Sequence, residues 1–120
     1  NDNEGLQTIS ACCSGAKVKI SNMRYLQSNK IFLISLERKS LETGDSKKKI
    51  NSICKFDFVD KVKSKNINQK DLQLTLELIA IDFLKNNKDY EINLIFKDNA
   101  YISLITETIE VRLEDQNEIK

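Results

Sequence analysis

The sequence predicts an α+β domain that is mainly antiparallel β sheet, and three observations support this prediction. The chain has 120 residues, the size of one domain. One short stretch near the start has the apolar spacing of a helix. Between residues 17 and 113, apolar residues then recur at every second position, the period of a half-buried strand. We therefore expect residues 1–120 to form a single domain, with a short N-terminal helix followed by about seven strands in a small barrel or half-barrel.

The predicted helix contains two adjacent cysteines, in the stretch "TISACCSGAK" (residues 8–17). Gly15 stands where a helix commonly ends in a left-handed residue. The cysteines are open to two interpretations, a metal or redox site or core packing. Three cysteines and no histidine fall short of the four ligands of a structural zinc site, and free cysteine packs as a small hydrophobe. We favour packing, expect no metal or cofactor, and place on one apolar stripe Leu6, Ile9, Cys12 and Cys13.

The first strands are predicted at 17–20 and 29–38, and a third begins at residue 50. The third strand would place on one face Ile50, Cys54, Phe56 and Phe58. In the stretch from 71 to 83, alternate leucines end at Leu78, and the apolar positions then change parity. We predict a β-bulge or sharp bend near Leu78 and Ile79, between two sets of apolar residues: Leu72, Leu74, Leu76 and Leu78, then Ile79, Ile81 and Phe83.

Two further runs, "YEINLIF" from 90 and "AYISLIT" from 100, flank the turn sequence "KDN" and predict a hairpin. Ile109, Val111 and Leu113 alternate in a last strand. The polar stretches 39–49 and 64–70 are expected to be loops. A pleckstrin-homology-like or similar half-open barrel is the candidate architecture.

The residues that are absent exclude several kinds of chemistry. The chain has no histidine, which removes imidazole bases, Ser-His-Asp and Cys-His nucleophiles and imidazole metal ligands. It also lacks phosphate-binding glycine motifs and the nucleophile elbow. We therefore expect that the protein is not an enzyme. No apolar run reaches the ~20 residues of a membrane span, and the odd number of cysteines favours a reducing compartment, so we expect a cytoplasmic location.

A lysine-rich segment is the first candidate binding surface. Residues 47–70 carry eight lysines and two aspartates, a net charge of 8 − 2 = +6. One strand would present Lys61, Lys63 and Lys65 on a single face, with Lys47, Lys48 and Lys49 close in sequence. Three interpretations stay open: a solvated strand edge, a nucleic-acid or anionic surface, and a protein-binding surface. The segment has no arginine, and no aromatic residue lies between Lys61 and Lys65, which weakens the nucleic-acid interpretation.

Two other features are weaker candidates. Residues 107–118 have a net charge of −4, and together with the lysine segment they allow head-to-tail or two-fold self-association. Glu107 and Glu110 could form an acid–base pair, but carboxylates on a terminal segment are usually solvated. Arg24 and Tyr25 precede a turn at Ser28 and Asn29. We expect Tyr25 to be a half-buried anchor with its hydroxyl at the rim, and binding is the alternative role for the pair.

Four successive blocks resemble a small bacterial family, domain of unknown function 2948, known chiefly from alphaproteobacteria. They are "MRYLQSNKIFLISLER", "KKKINSICKFDFVDKVKSKNI", "LELIAIDF" and "AYISLITETIEVRLEDQ". The best landmark is the family's "IEaRLeD" pattern, matched by Ile109, Glu110, Arg112, Leu113, Glu114 and Asp115. Glu37, Arg38 and Lys39 stand where the family has Asn-Arg-Phe, and the family's tryptophan is absent. The resemblance implies a cytosolic bacterial protein and assigns no catalytic residue.

From these observations we expect a non-catalytic binding or assembly module. Its partner is unknown and could be another protein or a second copy in a weak homodimer. Binding of nucleic acid or another anionic surface through the lysine segment is the alternative.

Overall fold

The computed structural model describes residues 3–39, 49–68, 70–71 and 73–116. A single turn of 3-10 helix, Gln27–Asn29, joins the first two strands. The other elements, in chain order, are α1 Asn3–Cys13, β1 Lys17–Leu26, β2 Ile31–Lys39, β3 Lys49–Phe56, β4 Val59–Lys65, β5 Thr75–Asn86, β6 Asp89–Phe96, β7 Ala100–Thr106 and β8 Val111–Asp115. The predicted α+β class with one helix and mainly antiparallel strands is confirmed.

The eight strands form one open sheet in the order β4-β7-β6-β5-β1-β2-β3-β8, and neighbouring strands are antiparallel. In the described part of the chain, β4 and β8 are the two edges of this sheet. The half-barrel description fits, and the pleckstrin-homology-like arrangement stays a candidate. The strand beyond the predicted seven is β4, which follows β3 after only two residues.

Helix α1 packs on β5, as its apolar stripe predicts. Leu6 and Cys13 are buried, and Ile9 packs against the same core. Gly15 ends the helix with a φ of +86°, a left-handed conformation that glycine adopts without a Cβ clash. Its amide donates to the Leu78 carbonyl at 2.7 Å, and the Leu78 amide donates to the Ala16 carbonyl at 2.8 Å. These bonds tie the end of the helix to the middle of β5.

The predicted bulge in β5 is present, because the β5–β6 register shifts between Leu78 and Ala80. Leu76 and Leu78 are buried before it and Ile81 after it. Ile79 is the extra residue. Its side chain is 47% exposed, so the prediction that Ile79 shares the inward parity of Ile81 and Phe83 is wrong. The amide of Ile81 is bonded to the Ser10 hydroxyl of α1 at 2.8 Å. Leu72 lies outside the described residues.

Phe58 corrects a second prediction. β3 ends at Phe56, and Phe58 has a φ of +61° and is 44% exposed, so it does not share the face of Cys54 and Phe56. A left-handed backbone turns the chain here and ends the alternation. The turn is held by backbone bonds from Asp57 N to Glu110 O (2.9 Å) and from Glu107 N to Phe58 O (3.3 Å). This corner leads the chain directly into β4.

The predicted loops are shorter than expected where the structure describes them. Lys39 ends β2, Lys49 begins β3 and Lys65 ends β4, and residues 40–48 lie outside the description. The predicted hairpin is confirmed. Asp98 and Asn99 turn the chain with φ angles of +66° and +60°, between the facing residues Phe96 and Ala100. Asparagine and aspartate tolerate this conformation better than other non-glycine residues.

The core lies between the inner face of the curved sheet and α1. Its largest fully buried apolar side chains are Phe56, Phe96, Leu6, Ile34, Leu78, Ile92, Leu94 and Leu104. Within the described residues, no helix is long and apolar enough to cross a membrane.

Candidate binding surface on the β4 edge

Strand β4 presents three lysines on the outer face of the sheet. Lys61, Lys63 and Lys65 are exposed, and Val62 between them is half-buried and packs against the core. This alternation is the ordinary consequence of a strand with one face on the core. The row therefore lies on one face of an edge strand, as its spacing predicts.

The residues opposite this row carry no charge. In the β4–β7 register, Lys61 faces Ile105, Lys63 faces Ser103 and Lys65 faces Tyr101. Within the described part of the chain, none of the three ammonium groups forms an ion pair. Like charges at alternate positions of one strand repel one another weakly in water. The row is thus a positive strip without a carboxylate facing it across the sheet.

Three lysines elsewhere in the described structure, Lys17, Lys30 and Lys55, have carboxylates nearby. Lys17 lies between Glu37 on β2 and Glu77 on β5, and its Nζ is 2.9 Å from Glu77 Oε1. Lys30 Nζ is 3.0 Å from Asp60 Oδ1 and 3.7 Å from Glu107 Oε1. Asp60 and Glu107 raise the pKa of Lys30 above its usual value. In these places the fold neutralises its own exposed cations.

Strand β7 adds side chains that the lysine spacing could not reveal. Tyr101 and Ile105 are half-exposed on the lysine face, and the Ser103 hydroxyl donates to Asn93 Oδ1 at 2.7 Å. No aromatic residue lies between Lys61 and Lys65 in the sequence, yet the sheet places Tyr101 opposite Lys65. The alternation of β7 indicated these outward positions, but only the pairing of β7 with β4 brings them to the row.

The other predicted lysines do not join this surface in the described structure. Lys47 and Lys48 lie outside the described residues. Lys49 begins β3, the seventh strand in an order where β4 is the first. Its side chain is not described. The lysines that the structure brings together are Lys61, Lys63 and Lys65.

Arg24 and Tyr25 point to opposite faces of β1. Tyr25 is half-buried, and its hydroxyl donates to the carbonyl of Val59 at 2.8 Å. Tyr25 therefore anchors the start of β4, in agreement with its predicted role as a half-buried anchor. Arg24 is exposed and faces Leu33 on β2.

Two carboxylates of the acidic end, Glu107 and Asp115, are engaged within the chain. Glu107 lies beside Lys30, and Arg112 is 4.0 Å from Asp57. Asp115 forms a charged network with two residues of the inner face. Arg38 on β2 donates to both carboxylate oxygens of Asp115 at 2.9 and 3.0 Å, and Arg38 Nε donates to Ser52 Oγ at 3.1 Å. In the described part of this end, these two carboxylates are therefore neutralised within the fold.

The Arg38–Ser52–Asp115 network also shifts a pKa. The Ser52 hydroxyl donates to Asp115 at 2.6 Å. This bond, together with the bonds and charge of Arg38, outweighs partial burial and holds the pKa of Asp115 below its usual value. The sequence pattern did not predict this network, because Arg38 is the last residue of a predicted strand and directly precedes a predicted loop. Its side chain is in fact only 3% exposed.

The cysteines take part in packing. Cys13 and Cys54 are fully buried and Cys12 is half-buried. Burial raises the pKa of Cys13 to about 11 although nearby Arg38 opposes the shift, and burial also raises the pKa of Cys54. Among the described residues, no group of three or more Cys, Asp or Glu side chains could hold a metal ion.

An open groove of about 990 Å³ lies across strands β5, β1, β2 and β3. All of the uncharged polar side chains that line it are serine, threonine, asparagine or glutamine. Its charged side chains balance, with three lysines and three carboxylates: Lys17, Lys19, Lys97, Glu37, Glu77 and Asp98. The groove therefore selects no sign of ligand charge, in contrast to the β4 row.

The comparison with protein families identifies the chain at the family level. The family model described as "Protein of unknown function (DUF2948)" matches residues 1–120, the whole chain. The chain belongs to the DUF2948 family. The resemblance seen in the sequence is thus confirmed, and the DUF2948 landmark residues 109–115 form the approach to β8 and β8 itself. No curated protein matches the chain.

Proposed function

We propose that this DUF2948 protein is a non-catalytic binding module and that the lysine row of β4 binds an acidic segment of another protein. The observation that supports the proposal is the absence of charge opposite the row. Lys61, Lys63 and Lys65 face Ile105, Ser103 and Tyr101, whereas Lys17 and Lys30 have carboxylates beside them. Complementary charge favours binding of an acidic partner and speeds its association.

Other side chains favour a protein partner over nucleic acid. The strip contains no arginine, which forms the bidentate contacts typical of phosphate recognition. Glu91 on β6 pairs with Ile105 on the same outer face, and Asp82 on β5 pairs with Asn93. These carboxylates would repel any anionic ligand, phosphate backbone or acidic segment, that spread beyond β4. Apolar Ile105 and Ile95 on this face suit a polypeptide.

Nucleic acid is the second candidate because Tyr101 lies opposite Lys65. An aromatic ring beside a cation is the arrangement on which proteins stack single-stranded bases. In this case the affinity would fall steeply with salt, since each phosphate contact releases counterions.

The experiment compares an acidic peptide with a single-stranded oligonucleotide of equal charge, both fluorescently labelled, at about 50 and 200 mM salt. The variant is Lys61→Gln, Lys63→Gln, Lys65→Gln, and the matched control is Lys19→Gln, Lys88→Gln, Lys97→Gln, which removes the same charge from other exposed positions. We expect peptide binding that the β4 variant loses and the control keeps. Tighter oligonucleotide binding that the β4 variant abolishes would favour the second candidate, and equal losses in both variants would contradict both.

A further inference from the structure

The outer face of the four strands from β4 to β5 carries charges of both signs in a fixed order. The strand registers align its outward side chains in three rows that cross β4, β7, β6 and β5. None of these side chains is buried. The rows are Lys61, Ile105, Glu91 and Leu84; Lys63, Ser103, Asn93 and Asp82; and Lys65, Tyr101, Ile95 and Ala80. Every row therefore begins with a lysine on β4, and the carboxylates lie on β6 and β5.

The charges on this face have no ionic partner within the described part of the chain. No ion pair there includes Asp82, Glu91 or a lysine of β4. Lys63 and Asp82 share a row but lie on strands separated by two others, roughly 14 Å apart at the usual strand spacing. Because this exceeds the Debye length of ~10 Å at about 0.1 M salt, the two ends of the row barely interact within one molecule. Each end is available to an opposite charge from outside the chain.

A second copy of the chain supplies both charges at once. When two such faces meet about a two-fold axis that runs parallel to the strands between β7 and β6, β4 of each copy lies on β5 of the other. Lys63 then faces Asp82 of the partner subunit, and this contact occurs twice because a two-fold interface repeats every pair. A two-fold axis across the strands would instead set one lysine row on the other, and like charges repel. The order of charges therefore selects one relative orientation.

The uncharged side chains of the face fit the same arrangement. Tyr101 on β7 would face Ile95 of the partner subunit on β6. Leu84, which is 46% exposed, would lie against the aliphatic stem of the partner's Lys61. Four strands and five residues along each strand cover an area of only about 19 by 17 Å, well below the ~800 Å² per partner of a standard interface. A dimer built through this face is therefore weak.

We propose that the protein forms a weak two-fold dimer through this face, with Lys63 of each copy paired to Asp82 of the other. The inference goes beyond the proposed function, because it names a second copy of the chain as an occupant of the lysine row and does not require an acidic segment. The two events exclude each other, since the dimer covers the lysines that an acidic segment would contact.

The experiment measures the sedimentation velocity of the full chain at protein concentrations from about 20 µM to about 1 mM, since the fraction of dimer rises with concentration. Lys63→Asp and Asp82→Lys each place like charges at both symmetric contacts, so we expect either change alone to weaken association at least ~10-fold. The variant with both changes restores opposite charges at both contacts, and so does an equimolar mixture of the two single variants. We expect each of these to associate within about 3-fold of wild type.

The matched control is Lys19→Asp, which makes the same change of charge at an exposed residue of β1, outside the face. Its dissociation constant should stay within about 2-fold of wild type, because distant sites act independently. Circular dichroism checks that every variant is folded. If one single variant does not fold, the double variant and the other single variant still test the pair.

The outcomes separate this inference from the proposed function. A chain that stays monomeric up to about 1 mM would overturn the dimer. A dimer that the single changes do not weaken, or that the paired changes do not restore, would overturn this interface. Acidic-peptide binding by a chain that never dimerises would overturn only the inference. A dimer with the expected charge dependence that binds no acidic peptide would support the inference and overturn the proposed function.

Discussion

The two edge regions of the sheet differ in whether their charged side chains have partners of opposite charge within the fold. At the β8 edge, Asp115 receives two bonds from Arg38 and one from Ser52, and Arg112 lies near Asp57. At the β4 edge, three lysines face uncharged residues. Charges that are satisfied within the fold contribute to its stability, whereas charges without an internal partner are available for a ligand. The difference supports our proposal that β4 is an edge left for binding, whereas Asp115 at the β8 edge is bonded within the fold.

The largest effect on stability is expected at the β8 edge. Asp115→Asn removes the carboxylate that faces a guanidinium only 3% exposed. Breaking a fully buried ion pair costs roughly 3–5 kcal/mol, but the Asp115 side chain is itself 47% exposed, so we expect a loss of about 2 kcal/mol. Urea unfolding measures it. The matched control is Glu114→Gln on the opposite face of β8, which should change the free energy of unfolding by less than ~0.5 kcal/mol. Equal effects of the two changes would contradict the network's role.

The same network predicts the response of the protein to acid. The pKa of Asp115 is lower in the folded protein than in the unfolded chain, so folding favours the ionised carboxylate. Its contribution is complete above the unfolded-state pKa of ~4 and is lost as the pH falls through the lower folded-state pKa. We therefore expect the difference in the free energy of unfolding between wild type and Asp115→Asn to be constant above about pH 5 and to shrink toward pH 2. A difference in the free energy of unfolding that stays constant down to about pH 2 would show that ionisation of Asp115 does not stabilise the fold.

Features that depend on neighbouring residues in the sequence could be predicted, whereas features that depend on distant residues could not. The bulge near Leu78 was predictable because the alternation of apolar residues changes parity between adjacent positions of the sequence. The lysine row was predictable for the same reason. The exposure of Ile79 and Phe58 was not, since a pattern of apolar residues does not reveal which one is the extra residue of a bulge or the left-handed residue of a corner. The exposure of both side chains depends on how the strands pack in the folded protein.

The partners of each charge were beyond the sequence because strand order decides them. Arg38 and Asp115 are 77 positions apart and meet only because β3 lies between β2 and β8. Tyr101 reaches the lysine row only because β7 pairs with β4. The sequence therefore indicated which residues carry charge, while the topology determined which of those charges are neutralised.

A smaller effect is expected where Lys17 pairs with Glu77 across β1 and β5. Both side chains are partly exposed, 53% and 36%, and such pairs contribute about 0.5 kcal/mol. Glu77→Gln should lower the free energy of unfolding by about that amount at low salt, and a double-mutant cycle with Lys17→Gln measures the share that belongs to the pair. The coupling should fall at about 1 M salt because the ions are screened. A coupling that does not depend on salt would show that the pair is not electrostatic.

The smallest effect is expected on the β4 edge, and it is the sharpest test of the comparison. Lys61→Gln, Lys63→Gln, Lys65→Gln removes three charges that have no carboxylate facing them, so no favourable ion pair is lost. Neighbouring ammonium groups on this face repel one another, and alternate residues of a strand are ~7 Å apart. We therefore expect the free energy of unfolding to stay within ~0.5 kcal/mol of wild type, with a small gain at low salt that disappears as salt screens the repulsion. Urea unfolding at about 20 mM and 500 mM salt measures both quantities. A loss of more than ~1 kcal/mol would mean that these lysines stabilise the fold in the way Arg38 does, and the distinction between a structural edge and a binding edge would fail.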